Sequence, residues 1–136
     1  MQILIRWKED FNLNIKIIDQ QHRKLVDMIN VLYNSVIDKE DHKVIEQTLQ
    51  DVMEYAFVHL RQEERYFEQC NYTYAPEHIA CHQSFVQKAE EFHEAYLINR
   101  SLLTQDVLEF LRDWLTKHIL QEDKKYANFF RQAGIR

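Results

Sequence analysis

Apolar residues recur at alternating spacings of three and four in four separate blocks of this chain. This spacing places them on one face of an α-helix, and four such faces predict helices that pack around a common core. The blocks cover residues 19–37, 41–70, 76–97 and 104–130. The sequence therefore predicts an all-α fold, an up-down-up-down antiparallel four-helix bundle in one domain of residues 1–136, with an extended N-terminal arm over residues 1–18.

The composition agrees with long helices and excludes several classes of function. The 136 residues include one glycine and one proline, too few for the turns of a hairpin-rich β fold. The formal net charge of −5 gives no electrostatic reason to expect a nucleic-acid partner. No run of 18 apolar residues is present, and charges interrupt the N-terminus where a signal peptide needs apolar residues. We therefore expect no membrane insertion and a cytoplasmic protein.

Local signals indicate where the helices begin and end. Asp19 is the predicted N-cap of the first helix, because its carboxylate can accept the unpaired backbone N–H groups of a first turn. The sequence NYTY at residues 71–74 ends the second helix, and Pro76 fits the first turn of the third. A polar break at residues 99–101 follows, and Thr104 is the expected cap of the fourth helix.

Seven side chains of metal-binding types continue the apolar stripes of these four helices. They are His22, His59, Glu63, His78, His82, His118 and Asp123. A step of four along a helix turns only about 40°, so the pairs separated by four residues share an inward face. Starts of odd helices and ends of even helices lie at the same end of such a bundle, so all seven side chains should meet at one depth. Burying them costs free energy unless a metal satisfies them.

The spacing between His118 and Asp123 requires a local irregularity. A step of five turns about 140° in a regular α-helix, which would direct Asp123 away from the other six side chains. A π-turn brings residues five apart onto the same face, and such turns occur at functional sites. The sequence therefore predicts an irregular turn between Leu120 and Asp123.

At these positions the chain resembles the hemerythrin family, its bacterial single-domain branch in particular. The resemblance extends over nearly the whole chain. It is carried by IDQQH, which ends at His22, and by the segments HLRQEE, HIACHQSF and DWLTKHILQEDKKY. The sequence YAP ahead of His78 departs from the family pattern, in which tyrosine and proline tend to be adjacent and further from the histidine. That difference touches only the loop before the third helix.

The resemblance implies a non-haem di-iron centre of two Fe ions that binds O₂ reversibly. It assigns His78, His82 and His118 to one iron and His22 and His59 to the other. Glu63 and Asp123 would bridge the two irons, together with a solvent-derived oxo or hydroxo group. The family lines its O₂ pocket with apolar side chains, and the matching positions here are Leu25, Leu60, Trp114, Leu115 and Ile119.

The donor chemistry is compatible with this implication and leaves the metal open. Imidazole suits iron, copper, nickel and zinc, and carboxylates also suit manganese. Seven donors exceed the four of a tetrahedral zinc site, whereas a bridging carboxylate suits two cations about 3.5–4 Å apart. No residue resembles an acid–base catalyst, so we expect oxygen storage or delivery and no catalytic residues.

Other functions at the same irons stay open from the sequence. They are an O₂ or redox sensor acting through a partner, a di-iron enzyme that reduces peroxide or nitric oxide, and iron storage, which the small number of carboxylates disfavours. O₂ is the expected ligand, and a downstream O₂-using enzyme is the partner that delivery would require. The oligomeric state stays open, because the helix exteriors carry mixed charges without an obvious apolar patch; between the alternatives a monomer is favoured.

Several neighbouring polar residues are candidates for orienting the ligands. A metal-bound imidazole usually donates its other N–H to a carboxylate, a carbonyl or water. The candidate acceptors are Asp19, Gln20, Gln21 and Glu122, while Glu64 either points outward or contacts a ligand. Cys70 and Cys81 are expected to be free thiols, as is usual in a reducing compartment.

Overall fold

The computed structural model describes residues 2–99 and 104–136. A short 3₁₀ helix, Glu9–Phe11, precedes the long helices. These are α1 (Lys16–Ile37), α2 (His42–Cys70), α3 (Ala75–Ile98), α4 (Thr104–Lys117) and α5 (Lys124–Gln132), and a π-helical turn (His118–Asp123) joins the last two. α4, the π-turn and α5 follow one another directly and make up the fourth rod of the bundle.

The packing of the helices confirms the predicted four-helix bundle. α1 packs against α2 and α4, and α2 packs against α3. Short connections at residues 38–41 and 71–74 join consecutive helices, and such connections make neighbours antiparallel. Among the helices of the described residues, none is both long enough and apolar enough to cross a bilayer.

The predicted capping role of Asp19 is wrong. α1 begins at Lys16, and Ile15 precedes it in an extended conformation. Asp19 therefore lies inside the first turns of α1, where its two carboxylate oxygens accept hydrogen bonds from the backbone N–H groups of Leu13 at 2.8 Å and Asn14 at 3.0 Å. The carboxylate fastens the incoming chain to the helix, because the apolar stripe at Ile15 and Ile18 starts the helix earlier than the polar signal suggested.

The starts of α2 and α3 follow ordinary capping chemistry. Asp41 precedes α2, and its carboxylate accepts a hydrogen bond from the N–H of Lys43 at 2.8 Å. α2 ends at Cys70, and the next residue, Asn71, has a left-handed φ of 53°. Pro76 lies in the first turn of α3, as predicted. Most of the predicted break before the fourth helix, and the side chain of its proposed cap Thr104, lie outside the described residues.

A buried asparagine holds the N-terminal arm against α1. The side-chain oxygen of Asn30 accepts hydrogen bonds from the N–H groups of Leu4 and Ile5, both at 2.9 Å, and its amide nitrogen donates to the carbonyl of Ile5 at 2.9 Å. Asn34, one turn later, accepts from the N–H of Gln2 at 2.9 Å. The arm is therefore part of the folded structure.

Two hydrophobic clusters fill the interior, and polar residues separate them along three rods. On the first rod Ile18 belongs to the smaller cluster and Leu25 to the larger. Leu60 and Phe67 divide in the same way on α2, as do Ile119 and Tyr126 on the fourth rod. His22, Glu63 and Asp123 lie between the members of these pairs, so the polar site occupies a layer between two apolar layers.

Candidate metal centre

The fold brings all seven predicted metal-binding side chains together in the interior. Each is at most 3% exposed. They form two groups that could each hold a metal ion, and within a group the donor atoms lie within 4.8 Å of one another. The first group is Glu63, His78, His82 and His118, and the second is His22, His59, Glu63 and Asp123.

The π-turn is what brings Asp123 into the site. It extends over His118–Asp123, so the predicted irregular turn is confirmed. Hydrogen bonds in a π-helix join residues five apart, and these two residues therefore occupy the same face. His118 Nε2 lies 2.9 Å from Asp123 Oδ1 as a result.

Each of the two buried carboxylates directs one oxygen toward each histidine group. Glu63 Oε1 lies 2.9 Å from His59 Nε2, and its Oε2 lies 3.0 Å from His82 Nε2. Asp123 Oδ2 lies 3.0 Å from His22 Nε2, and its Oδ1 lies 2.9 Å from His118 Nε2. This is the arrangement that bridging of two cations requires.

Two of the imidazoles, those of His59 and His82, turn Nε2 inward with an unshared electron pair. His59 Nδ1 lies 2.7 Å from the amide oxygen of Gln21, and His82 Nδ1 lies 3.1 Å from a carboxylate oxygen of Glu64. Because these oxygens only accept, both Nδ1 atoms carry the proton in the neutral ring and both Nε2 atoms carry a lone pair. Each of these lone pairs faces a carboxylate oxygen of Glu63, at 2.9 Å from His59 Nε2 and at 3.0 Å from His82 Nε2. Two electron-rich atoms at such distances repel one another unless a cation lies between them, so these donors suit metal ligation.

The spacing of the donors also suits six-coordinate metal ions. His22 Nε2 and His59 Nε2 are 3.0 Å apart, and His78 Nε2 and His118 Nε2 are 3.1 Å apart. Bonds of about 2.1 Å at right angles place neighbouring donors about 3.0 Å apart. Asp123 supplies a second argument, since both of its buried oxygens accept no hydrogen bond of proper geometry from the described residues. A cation would satisfy them.

The pKa values of the ligand side chains in the protein without metal also indicate that the site favours positive charge. Burial by itself would lower the pKa of His22, but the carboxylates of Asp123 and Glu63 outweigh it and raise that pKa to about 9. His118 behaves alike, with its pKa raised to about 10. Burial raises the carboxyl pKa values of Glu63 and Asp123, but the neighbouring imidazoles hold both below their usual range. Burial dominates at His59, whose pKa is lowered.

Two aromatic side chains contact the ligands directly. The hydroxyl of Tyr126 donates a hydrogen bond to Glu63 Oε1 at 3.0 Å, and Trp114 stacks on the ring of His118 with centroids 4.4 Å apart. Tyr126 is not among the residues that the sequence predicted to contact the ligands. Its position one turn after Asp123, on the same face, was the signal that could have identified it.

The five residues predicted to line an O₂ pocket belong to one cluster. Leu25, Leu60, Leu115 and Ile119 are each at most 3% exposed and form part of the larger hydrophobic cluster, and the half-buried Trp114 packs against it. Leu60 and Ile119 directly follow the ligand candidates His59 and His118 in the chain. The apolar layer on this side of the polar site is therefore continuous with it.

Of the five candidates for orienting the ligands, two contact a ligand imidazole and three have other surroundings. Gln21 and Glu64 contact ligand imidazoles, as described above. Asp19 binds the N-terminal arm instead, Gln20 is exposed, and Glu122 pairs with Lys125 at 3.5 Å. Cys70 and Cys81 are free thiols, as expected.

Comparisons with known proteins identify the family of this chain. The family described as "Hemerythrin HHE cation binding domain" matches residues 13–130. A bacteriohemerythrin of Clostridium acetobutylicum is 32% identical over 128 residues, which cover 90% of this chain and 98% of that protein. A bacteriohemerythrin of Pseudomonas paraeruginosa is 28% identical over 127 residues, covering 93% and 82%. The solved structure of a wild-type hemerythrin superimposes with a TM-score of 0.85 at 27% identity, covering 92% of this chain and 96% of that one. This chain therefore belongs to the hemerythrin family.

Proposed function

We propose that this chain binds O₂ reversibly at a non-haem di-iron centre, and that it stores or delivers oxygen without catalytic turnover. The observation that carries the proposal is the pair of buried donor groups with a shared Glu63. In this assignment His78, His82 and His118 hold one iron, and His22 and His59 hold the other. A bridging oxo or hydroxo group completes the centre, as the family resemblance implies.

The unequal number of imidazoles gives the centre its function in this proposal. When bound, iron would supply the electrons for reversible O₂ binding and an open coordination position. The group around His22 and His59 has one imidazole fewer than the other group, so an iron held there would be the one with the open position. Glu63 and Asp123 hold the two groups together, and the hydrogen bond from Tyr126 fixes the orientation of Glu63.

The neighbouring apolar layer supports binding over catalysis. Leu25, Leu60, Leu115 and Ile119 carry no ionisable group and lie away from solvent. Such side chains exclude water and supply no proton to bound O₂, and proton delivery is what would turn a carrier into an oxidase. Trp114 covers His118 from one side. Delivery also requires an O₂-using recipient, which we expect to be a separate protein.

The test is anaerobic loading with ferrous salt, followed by metal analysis and absorption spectroscopy during cycles of O₂ addition and removal. We expect about two irons per chain, the stoichiometry of a two-metal site, and a coloured oxygenated form that disappears under vacuum and returns with O₂. A chain that retains fewer than two irons would refute the di-iron assignment.

Further measurements on the loaded protein separate the other functions. Steady consumption of peroxide or nitric oxide with a reductant would indicate an enzyme. Immediate oxidation by O₂ with no stable oxygenated form would contradict carriage and favour a redox sensor. Analytical ultracentrifugation of the loaded protein tests the proposed monomer.

A further inference from the structure

The two ligand imidazoles with resolved outward hydrogen bonds have partners of different charge. His59, from the two-imidazole group, donates its Nδ1–H to the neutral amide oxygen of Gln21 at 2.7 Å. His82, from the three-imidazole group, donates to the carboxylate of Glu64 at 3.1 Å. The two groups therefore differ in the charge behind their histidines as well as in the number of histidines.

A carboxylate and an amide act differently through the same hydrogen bond. Both accept the Nδ1–H, and so both fix the ring orientation and leave Nε2 free to bind a metal. A carboxylate also pulls the proton more strongly, which makes the imidazole more basic and more electron-donating. An iron bound to such an imidazole is stabilised in the ferric state relative to the ferrous state.

Glu64 lies at the edge of the buried site. Its side chain is 37% exposed, whereas His82 is 3% exposed. Glu64 lines a cleft of about 490 Å³ between α2 and α3, together with His82 and Leu60. The carboxylate therefore contacts a buried ligand without the cost of full burial.

We propose that Glu64 is a positioning residue that lowers the reduction potential of the iron held by His82, relative to the iron held by His59 beside Gln21. The inference rests on the proposed di-iron function. In the loaded protein this would make the iron held by His78, His82 and His118 the easier of the two to oxidise.

Four variants separate charge from hydrogen bonding. Glu64→Gln keeps an acceptor for His82 Nδ1 and removes the charge, whereas Glu64→Leu removes both. Gln21→Glu adds a charge behind His59. Glu68→Gln is the matched control, because Glu68 is exposed, lies one turn further along α2, and changes the net charge by the same amount.

The readouts are iron content, iron affinity and the reduction potentials of the centre. The potentials are measured by spectroelectrochemical titration of the loaded protein. We expect Glu64→Gln to bind two irons and to lower the ferric-to-ferrous ratio at a fixed ambient potential about tenfold, which for one electron is a rise of about 59 mV in the potential of the first oxidation. Gln21→Glu should lower the reduction potential of the iron held by His59. Glu68→Gln should leave both reduction potentials unchanged. Glu64→Leu should also lose about 10–100-fold in iron affinity, since it leaves the imidazole unsupported.

Distinct results overturn this inference and the proposed function. If the unaltered protein fails to retain two irons, the proposed function fails, and the inference fails with it. If it binds iron and O₂ but Glu64→Gln leaves the potentials unchanged, only the inference is wrong. Equal shifts in Glu64→Gln and Glu68→Gln would also overturn it, because they would show a general effect of surface charge.

Discussion

Replacing Leu115 with alanine tests whether the apolar layer beside the metal centre protects bound O₂. Leu115 is 2% exposed and lies in the larger hydrophobic cluster. The substitution removes three buried carbon atoms, which at about 0.8 kcal/mol each amounts to about 2.4 kcal/mol of lost transfer free energy. The cavity left behind adds to this, so we expect the free energy of unfolding to fall by about 2.7–5.0 kcal/mol.

The functional effect should be separable from this loss of stability. Leu32→Ala is the control, because Leu32 is 1% exposed in the same cluster but lies on α1 more than two turns beyond His22. Both variants should lose similar stability in urea titrations of the iron-loaded protein. Only Leu115→Ala should let water approach the centre, and it should therefore convert the oxygenated form to the diferric form faster than the unaltered protein.

The measurement is the decay of the oxygenated absorption band in air-saturated buffer, under conditions in which all three proteins are folded. Equal decay rates in Leu115→Ala and the unaltered protein would refute the protective role of this layer. Faster decay in both variants would show that lost stability, and not local access of water, controls the oxidation.

Two further predictions concern the ligands themselves. His118→Ala should retain fewer than two irons per chain by metal analysis while its far-ultraviolet circular dichroism stays helical, and the exposed His93→Ala should retain both; two irons in His118→Ala would contradict the ligand assignment. In the iron-free protein the pKa values of His22 and His118 are raised to about 9 and 10. Protonation of these imidazoles therefore stabilises the fold fully below the pKa of the unfolded chain, near 6.5, and this contribution is lost as the pH rises through the pKa values of the folded protein. The melting temperature of the iron-free protein should therefore fall between pH 7 and 10, with a smaller fall in the loaded protein, whose imidazoles bind metal instead of protons; parallel curves would contradict this.

The sequence predicted the fold and the gathering of the donors because both follow from helical periodicity. His59 and Glu63 share a face at any backbone geometry close to an α-helix, and the order of helix starts and ends puts such pairs at one depth. The π-turn was also predictable, since Asp123 can join the site only if the helix departs from regular spacing. These inferences needed directions and depths, not atomic detail.

Features that depend on tertiary packing were not predictable in the same way. Asp19 has the side chain of a cap, but α1 begins three residues earlier, at Lys16, where the flanking Ile15 and Ile18 are buried. The carboxylate of Asp19 binds the arm instead. The choice among candidate orienting residues was equally inaccessible. Gln20 and Gln21 are adjacent and chemically identical, and only the rotation of α1 decides that Gln21 contacts His59.

The layered interior predicts that folding and metal binding depend on one another. His22, Glu63 and Asp123 are all fully buried between apolar layers on three rods, so none of them can reach solvent without opening the bundle. Without metal, protons on His22 and His118 must balance the two carboxylates, and that balance holds only over a limited range of pH. Two cations would balance the same charges and would replace these protons at the Nε2 atoms. Metal binding is therefore expected to stabilise the packed bundle, because the unfolded chain has no preformed site.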